Sequence, residues 1–507
     1  MDRLNRSSIN MLSSAAGYIV PMFVNLLTIP FLLSGLGDAA YGIQSLVAVI
    51  IGYLTFMEMG LDLPVTKLLA EDRAKNDTKA ESYLLSTTLQ LYGIIGIIGM
   101  TVIILLSDVL VLHIFKVPQA LIPAALTVFQ LAGIGFLGSV GLSWGRAVAM
   151  GMQRFDLSYS VSAIVSSVGA LGGLGAVYAG YGVIGYVTVR VVLSLMAGPA
   201  CWLLTYRALP DFRFRWGLHR LTLHRVKAYL GYGILNRVTS SLFSRLDQTL
   251  IGAWLGVAAA GVYSVPFMLV NSLGYMIAYM LGFIFPMASE LHGLGQMDRL
   301  RDIFTRATRF MAALAGLIYI PLFVFGDLIL EVWVPGIAQQ ATSVLRLLAL
   351  SAYISALTAS LTNNIVIGVG KIRQFTVYAN IRGLVLGLLC ILLIHPFGLK
   401  GAGWALVLAG FVDVIYLSKV LHNYLNMSRM ELFKSAYLKP LILGVGLAFV
   451  SFACRPLAAS WVGLGCVFAG LSFSYIIIGY WFGVYGETEK RAVIGILNMI
   501  SDSFNRA

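Results

Sequence analysis

Charge is what this sequence has least of. Only 11% of its 507 residues are Asp, Glu, Lys or Arg, against about a quarter in a water-soluble domain. Apolar residues make up 59%, and the mean hydropathy is +0.87. A soluble protein is excluded. Cysteine is also scarce: Cys201, Cys390, Cys454 and Cys466 all fall in or beside apolar segments. They have neither metal-ligand spacing nor the pattern of a disulfide framework, so they read as packing residues. No P-loop or metal cluster is present, which argues against a nucleotide-driven pump. Alternating strands between turns are missing too, which argues against a barrel. The first apolar segment lacks a small-residue cleavage site and carries Pro21 and Asn25 inside it; it is expected to stay as a span.

What the chain has instead is one apolar run after another, each long enough to cross about 30 Å of hydrocarbon. Fourteen spans are expected, near 9–34, 40–62, 82–106, 119–146, 157–178, 182–206, 228–254, 259–286, 308–331, 341–368, 374–394, 401–421, 437–454 and 460–484. The fold class is an all-α polytopic membrane protein. The formal charge of +13 would suit nucleic acid, but its placement does not. Of the 35 Lys and Arg residues, 26 fall in loops and flanks on the side of the N-terminus, three (Lys116, Lys400 and Arg455) on the other side, and six within spans. That asymmetry places both termini in the cytoplasm.

An internal repeat organises the spans. "LGDAAYGIQSL" from Leu36 and "LGVAAAGVYSV" from Leu255 share Leu, Gly, Ala, Ala, Gly and Ser in register, including Gly42/Gly261. The same offset of 219 pairs Gly151 with Gly370, Arg154 with Arg373, Tyr159 with Tyr378 and Gly182 with Gly401. Two pseudo-symmetric six-helix lobes are therefore expected, 1–206 and 228–421. The basic segment 207–227 lies between them, and an appended helix pair with a tail fills 422–507. Two parallel lobes facing each other would enclose a cavity near the midplane. The segment "RALPDFRFRWGLHRLTLHRVK" (Arg207–Lys227) is basic and aromatic. It reads as a chain lying on the anionic inner leaflet.

The six arginines inside spans are Arg146, Arg190, Arg237, Arg245, Arg346 and Arg382, facing only two deeply placed acids, Asp247 and Asp413. A charge at the bilayer centre costs at least about 2.5–3.5 kcal/mol, so it faces protein or water. On a helical wheel of "NRVTSSLFSRLDQTLIGAW" (Asn236–Trp254), Ser241, Ser244 and Gln248 fall within about 40° of Arg237, with Arg245 and Asp247 on its flanks. These charges could pair off, Asp413 with Arg382 and Asp247 with Arg237 or Arg245. The surplus of arginine points instead to a cationic cavity, since a planar guanidinium bonds two phosphate oxygens at once. Glu58 and Asp62 read as interface residues, counter-ions to Arg146, or sites of ion coupling. Asn363 and Asn364 add hydrogen-bonding capacity for sugar hydroxyls.

The stretches "NLLTIPFLLSGLG", "YGIQSLVAVIIGYLTFMEMGL", "LLAE", "GVGKIRQF" and "FGLKGAGWA" resemble bacterial O-antigen flippases of the Wzx type. Those belong to the multidrug/oligosaccharidyl-lipid/polysaccharide exporter superfamily. The resemblance runs over essentially the whole chain. It implies transfer of an undecaprenyl-pyrophosphate-linked oligosaccharide across a bacterial cytoplasmic (inner) membrane, with no cofactor and a proton or sodium gradient as driving force. Its expected site is the arginine set Arg237, Arg245, Arg190, Arg382, Arg146 and Arg346 with Asn363, Asn364 and Gln248. Asp247, Asp413, Glu58 and Asp62 are the candidates for coupling or counter-ion roles. Membrane lipids and polysaccharide polymerase or assembly proteins are the expected partners of a monomer. Rival readings are a peptidoglycan-precursor flippase or a multidrug exporter of the same fold. A membrane glycosyltransferase or polymerase is disfavoured, because the outer loops are tiny and Asp108, His113, Glu331 and His395 are scattered.

Overall fold

The computed structural model describes residues 3–58, 60–209, 212–230, 242–281 and 284–484, with side chains from 17 onward except at 155–156, 228–230 and 279–280. Among the described residues the chain is helical and holds no strand. Eleven helical stretches among the described residues are long and apolar enough to cross a membrane. Two of them are too long to be single crossings. Helix α1 (Arg3–Leu54) has 52 residues, about 78 Å at 1.5 Å per residue, more than twice the hydrocarbon thickness. It breaks at Gly37, whose φ of 74° and ψ of 166° suit only glycine. That break falls between the first two expected spans. The fifth and sixth, α5 (Phe155–Ala176) and α6 (Gly182–Ala208), are likewise joined through Gly180 (φ 89°) and Gly182 (φ 55°). The expected span 228–254 falls partly on 231–241, outside the described residues.

The chain forms two compact units, residues 1–265 and 266–507. In the first, α2 (Asp62–Ala74) leads into α3 (Thr78–Asp108), which packs on α4 (Ile122–Gly151). The capping side chain of α3 is Asp77, which accepts from the Ala80 N–H at 2.9 Å. Helix α4 packs on α6, α5 on α6, and α1 on α5. Helices approach closely through glycine, as membrane packing favours: a Cβ on Gly99 would lie 2.2 Å from the Phe136 ring. Trp144, fully buried, donates its indole N–H to Thr88 Oγ1 at 3.2 Å.

The first unit also contains α7 (Arg220–Leu230), α8 (Leu246–Trp254) and the start of α9 (Val257–Met280). Here the repeat meets itself. A Cβ on Gly42 would sit 1.8 Å from the Val257 carbonyl oxygen and 3.1 Å from the Gly261 nitrogen. On Gly261 it would sit 2.4 Å from the Asp38 oxygen and 3.1 Å from the Gly42 nitrogen. Two glycines equivalent in sequence thus touch backbone to backbone, which only side-chain-free residues permit.

In the second unit come α10 (Ile284–Gly293), α11 (Met297–Val324), α12 (Gly326–Trp333), α13 (Ala338–Gly368), α14 (Ile372–Phe397) and α15 (Leu399–Tyr424). Helix α13 packs on α11 and α15, and α14 on α15. After the short α16 (Arg429–Leu432), α17 (Leu438–Ala453) and α18 (Trp461–Trp481) form the last apolar pair. They close over α11 through Ala313, Leu443, Leu447, Leu464, Leu471 and Tyr475. Tyr475 bonds the Ala313 carbonyl at 3.0 Å.

Candidate functional site

Each unit holds a half-open cavity with polar side chains in its lining. In the first unit it measures about 270 Å³ and lies among α1, α4, α5 and α6. Its polar lining is Gln44, Ser139, Ser162, Ser166, Ser194 and Arg190. Arg190 donates to Tyr186 Oη at 2.7 Å, and its guanidinium carbon stands 5.5 Å from that ring's centre. Among the described residues no carboxylate forms an ion pair with Arg190. Asn25 reaches the same wall, donating to Ser166 Oγ at 3.2 Å and to the Pro21 carbonyl at 2.7 Å.

In the second unit a cavity of about 220 Å³ is lined by Asn271, Ser351, Ser355, Ser360 and Arg382, with Tyr319 and apolar residues around them. Arg382 faces this space while its Nε binds Asp413 Oδ1 at 2.8 Å. Tyr378 donates to the same oxygen at 2.7 Å and stacks on Tyr416 at 3.8 Å. Asp413 is fully buried, and its Oδ2 accepts no hydrogen bond from the described residues.

The two cavities correspond through the repeat. Ala48 and Phe267, Ile51 and Val270, Ala132 and Ser351, and Val187 and Leu406 are lining pairs at the offset of 219. The charges do not correspond. The counterpart of Arg382 is Ala163, that of Arg190 is Ala409, and that of Asp413 is Ser194. Four lining positions thus coincide at the offset, while each cavity takes its arginine from a helix at a different place in its unit.

None of the other expected site residues that are described lines either cavity. Arg237 lies outside the described residues. The continuous wheel over 236–254 does not hold, because Ser244 and Arg245 form a turn and Arg245 has a φ of −136°. The turn lets the Arg245 side chain lie against Gly52, where an added Cβ would be 2.9 Å from its Nε. Asp247 and Gln248 then sit in the first turn of α8, where a carboxylate suits the positive end of the helix dipole. Asp247 is buried, accepting from the Tyr263 hydroxyl and from the Gln248 N–H at 2.9 Å. It makes no ion pair with Arg245. Gln248 is also buried, and its neighbour Thr249 meets Tyr53 Oη at 2.5 Å.

Arg146 contacts Ser143 at 3.5 Å, and Ser143 in turn donates to Glu58 at 3.3 Å. The counter-ion reading of Glu58 thus runs through a serine hydroxyl. Asp62 heads α2. Arg346 pairs with Asp327 at 3.3 Å and bonds the Phe323 carbonyl at 3.1 Å, while Asp327 also binds Arg455. Asp327 reduces the arginine surplus that two deep acids alone would leave. Asn364 donates to the Ser360 carbonyl at 2.9 Å, and Asn363 Oδ1 is buried without a hydrogen-bond donor among the described residues. Sequence reasoning missed the serine walls, although Ser162/Ser166 and Ser351/Ser355 stand at i,i+4 on one helix face. It also missed Tyr263, because a tyrosine in an apolar run gives no sign of its partner.

Against known proteins, a family profile described as polysaccharide biosynthesis protein matches residues 36–335. The chain belongs to this family. A Shigella flexneri protein named "Putative O-antigen transporter" is 22% identical over 418 residues, 79% of this chain and 94% of that one. Among solved structures, the lipid II flippase MurJ in an inward closed conformation superposes with a TM-score of 0.72 at 11% identity, covering 93% of this chain and 98% of its own. An inward-facing multidrug resistance MATE family transporter of the MOP superfamily gives 0.67 at 14% identity, covering 82% and 99%. The resemblance to polysaccharide-unit exporters seen in the sequence therefore holds. The family member described here is a multi-pass membrane protein with the fold of these two solved structures.

Proposed function

We propose that the protein flips an undecaprenyl-pyrophosphate-linked oligosaccharide across the bacterial cytoplasmic membrane by alternating access. The observation that carries this reading is Arg190. It is a fixed cation in a serine-lined cavity within a membrane-spanning unit, held by a tyrosine and by no carboxylate among the described residues. Burying such a charge is unfavourable unless an anion or water meets it, and guanidinium suits phosphate oxygens. Arg382 is a second, partly neutralised cation in the cavity of the second unit. Around both, hydroxyl and amide groups match the hydrogen-bonding needs of sugar. In this reading the polyprenyl tail stays in lipid while the headgroup passes the arginines. Both termini lie in the cytoplasm, the protein acts as a monomer, and an ion gradient drives the cycle through Asp247, Asp413, Glu58 or Asp62.

The test is export of lipid-linked saccharide in cells lacking their own exporter. Arg190→Ala should lower export at least tenfold with membrane insertion unchanged, and Arg190→Lys should recover part of it. Export at the wild-type rate in both variants overturns the reading. Reconstituted vesicles presenting a lipid-linked oligosaccharide or a peptidoglycan precursor, with and without proton or sodium gradients, separate the two lipid-linked substrates and show the coupling ion.

A further inference from the structure

The basic, aromatic segment after α6 does more than cross a surface. Residues 213–217 climb along α3, with the Arg213 N–H on Ser82 Oγ at 3.2 Å, the Arg215 N–H on Ser86 Oγ at 2.9 Å and the Gly217 N–H on Gln90 Oε1 at 3.0 Å, before the His219 N–H turns back to Thr87 Oγ1 at 3.3 Å. Gln90 returns a bond to the Arg215 carbonyl at 3.0 Å. Each step of two segment residues matches one turn of the helix. The guanidinium of Arg215 lies over the Tyr83 ring at 4.5 Å and bonds its hydroxyl at 2.9 Å, and His219 stacks on the same ring at 4.0 Å. Arg225 anchors the far end through two bonds to Asp72, at 2.6 and 3.1 Å. Arg213, Arg215, Arg220 and Trp216 are left exposed, Trp216 at 87%.

Beside this clamp, α3, α4 and α6 leave an apolar groove of about 520 Å³. Its lining includes Gly93, Gly138, Gly141 and Gly198, together with Phe214 of the segment, Trp144 and Trp202. Phe214 stands edge-on to Trp216 at 5.2 Å, so the exposed arginines and tryptophan adjoin the groove. Trp202, also in the lining, stacks on Tyr206 at 5.9 Å. Aromatic rings at one end of an apolar slot mark the level of the lipid headgroups. Arginines at that level attract anionic lipid. Among the described residues no carboxylate pairs with Arg215.

We propose that this groove holds one acyl chain of an anionic glycerophospholipid, whose phosphate lies against Arg213 and Arg215 beside Trp216. The site lies wholly within the first unit and does not depend on the transported substrate. The ligand is a lipid of the surrounding leaflet, not the cargo.

The test uses the full chain in nanodiscs that mix phosphatidylglycerol, phosphatidylcholine and undecaprenyl phosphate, with lipids retained on the protein counted by native mass spectrometry. Wild type should retain phosphatidylglycerol over phosphatidylcholine, by up to roughly thirtyfold for two basic residues at an anionic headgroup. Arg213→Gln/Arg215→Gln should lose that preference. Gly93→Leu should lose the retained lipid by filling the groove, and a Cβ at Gly93 meets nothing within 4 Å, so folding is kept. An unchanged thermal unfolding temperature checks this. Preference surviving in either variant overturns the proposal. So does undecaprenyl phosphate displacing phosphatidylglycerol, which would make the groove part of the transport path.

Discussion

Arg382 and Asp413 show how an intramembrane charge is made tolerable. The carboxylate is fully buried and keeps one oxygen for Arg382 and Tyr378. Removing one partner of such a pair strands the other, which costs about 3–5 kcal/mol, whereas replacing both by apolar groups is often neutral. Arg382→Ala should therefore lower stability by about that much, and Arg382→Met/Asp413→Leu should restore most of it, as read by thermal unfolding in detergent. A single variant as stable as wild type would show that water already serves Asp413. At Arg190 the expectation differs. Its partner is neutral Tyr186, so Arg190→Ala leaves no stranded charge and should change stability by less than about 1.5 kcal/mol, one neutral hydrogen bond. Its effect belongs to transport, and measuring both quantities on the same preparation separates the roles.

Between elements, glycine sets how close helices come, and the positions are not interchangeable. Gly42→Val forces a side chain into the Val257 carbonyl. It should destabilise at the top of the roughly 1–3 kcal/mol overpacking range or beyond it. Gly37→Ala meets no atom within 4 Å, yet its backbone conformation suits glycine alone. Its expected loss of about 1–3 kcal/mol is backbone strain. Melting temperatures of the two variants test both statements. Replacing Gly93 is expected to be harmless, since it has neither a positive φ nor a close neighbour.

At the scale of the whole molecule, the last helix pair is structural. Leu443, Leu447, Leu464, Leu471 and Tyr475 cover α11, and Arg455 reaches back to Asp327 and to the Val324 carbonyl at 3.2 Å. Removing residues after Tyr437 would expose that face of α11 and leave Asp327 with Arg346 alone. The truncated chain should accumulate at a fraction of the wild-type level in membranes, by immunoblot of fractionated cells. Normal accumulation would show that lipid substitutes for the pair.

The sequence by itself determined the solvent of this protein, its helical class and its repeat. Those follow from the length and spacing of apolar runs, and from Gly42 and Gly261 recurring at one offset. It also marked Arg190 and Arg382 as costly and therefore meaningful, because hydration energy depends on residue type and depth alone. Tertiary structure decided which charges are satisfied. Asp327, at a helix end, took Arg346, while Asp247 went to Tyr263 instead of Arg245. Partner choice depends on distances between helices far apart in the chain, and a linear pattern holds no such distance. For the same reason the serine-lined cavities were decided only when α4, α5 and α6, and α13, α14 and α15, came together. Helical period gives each polar face, and only packing shows which faces meet.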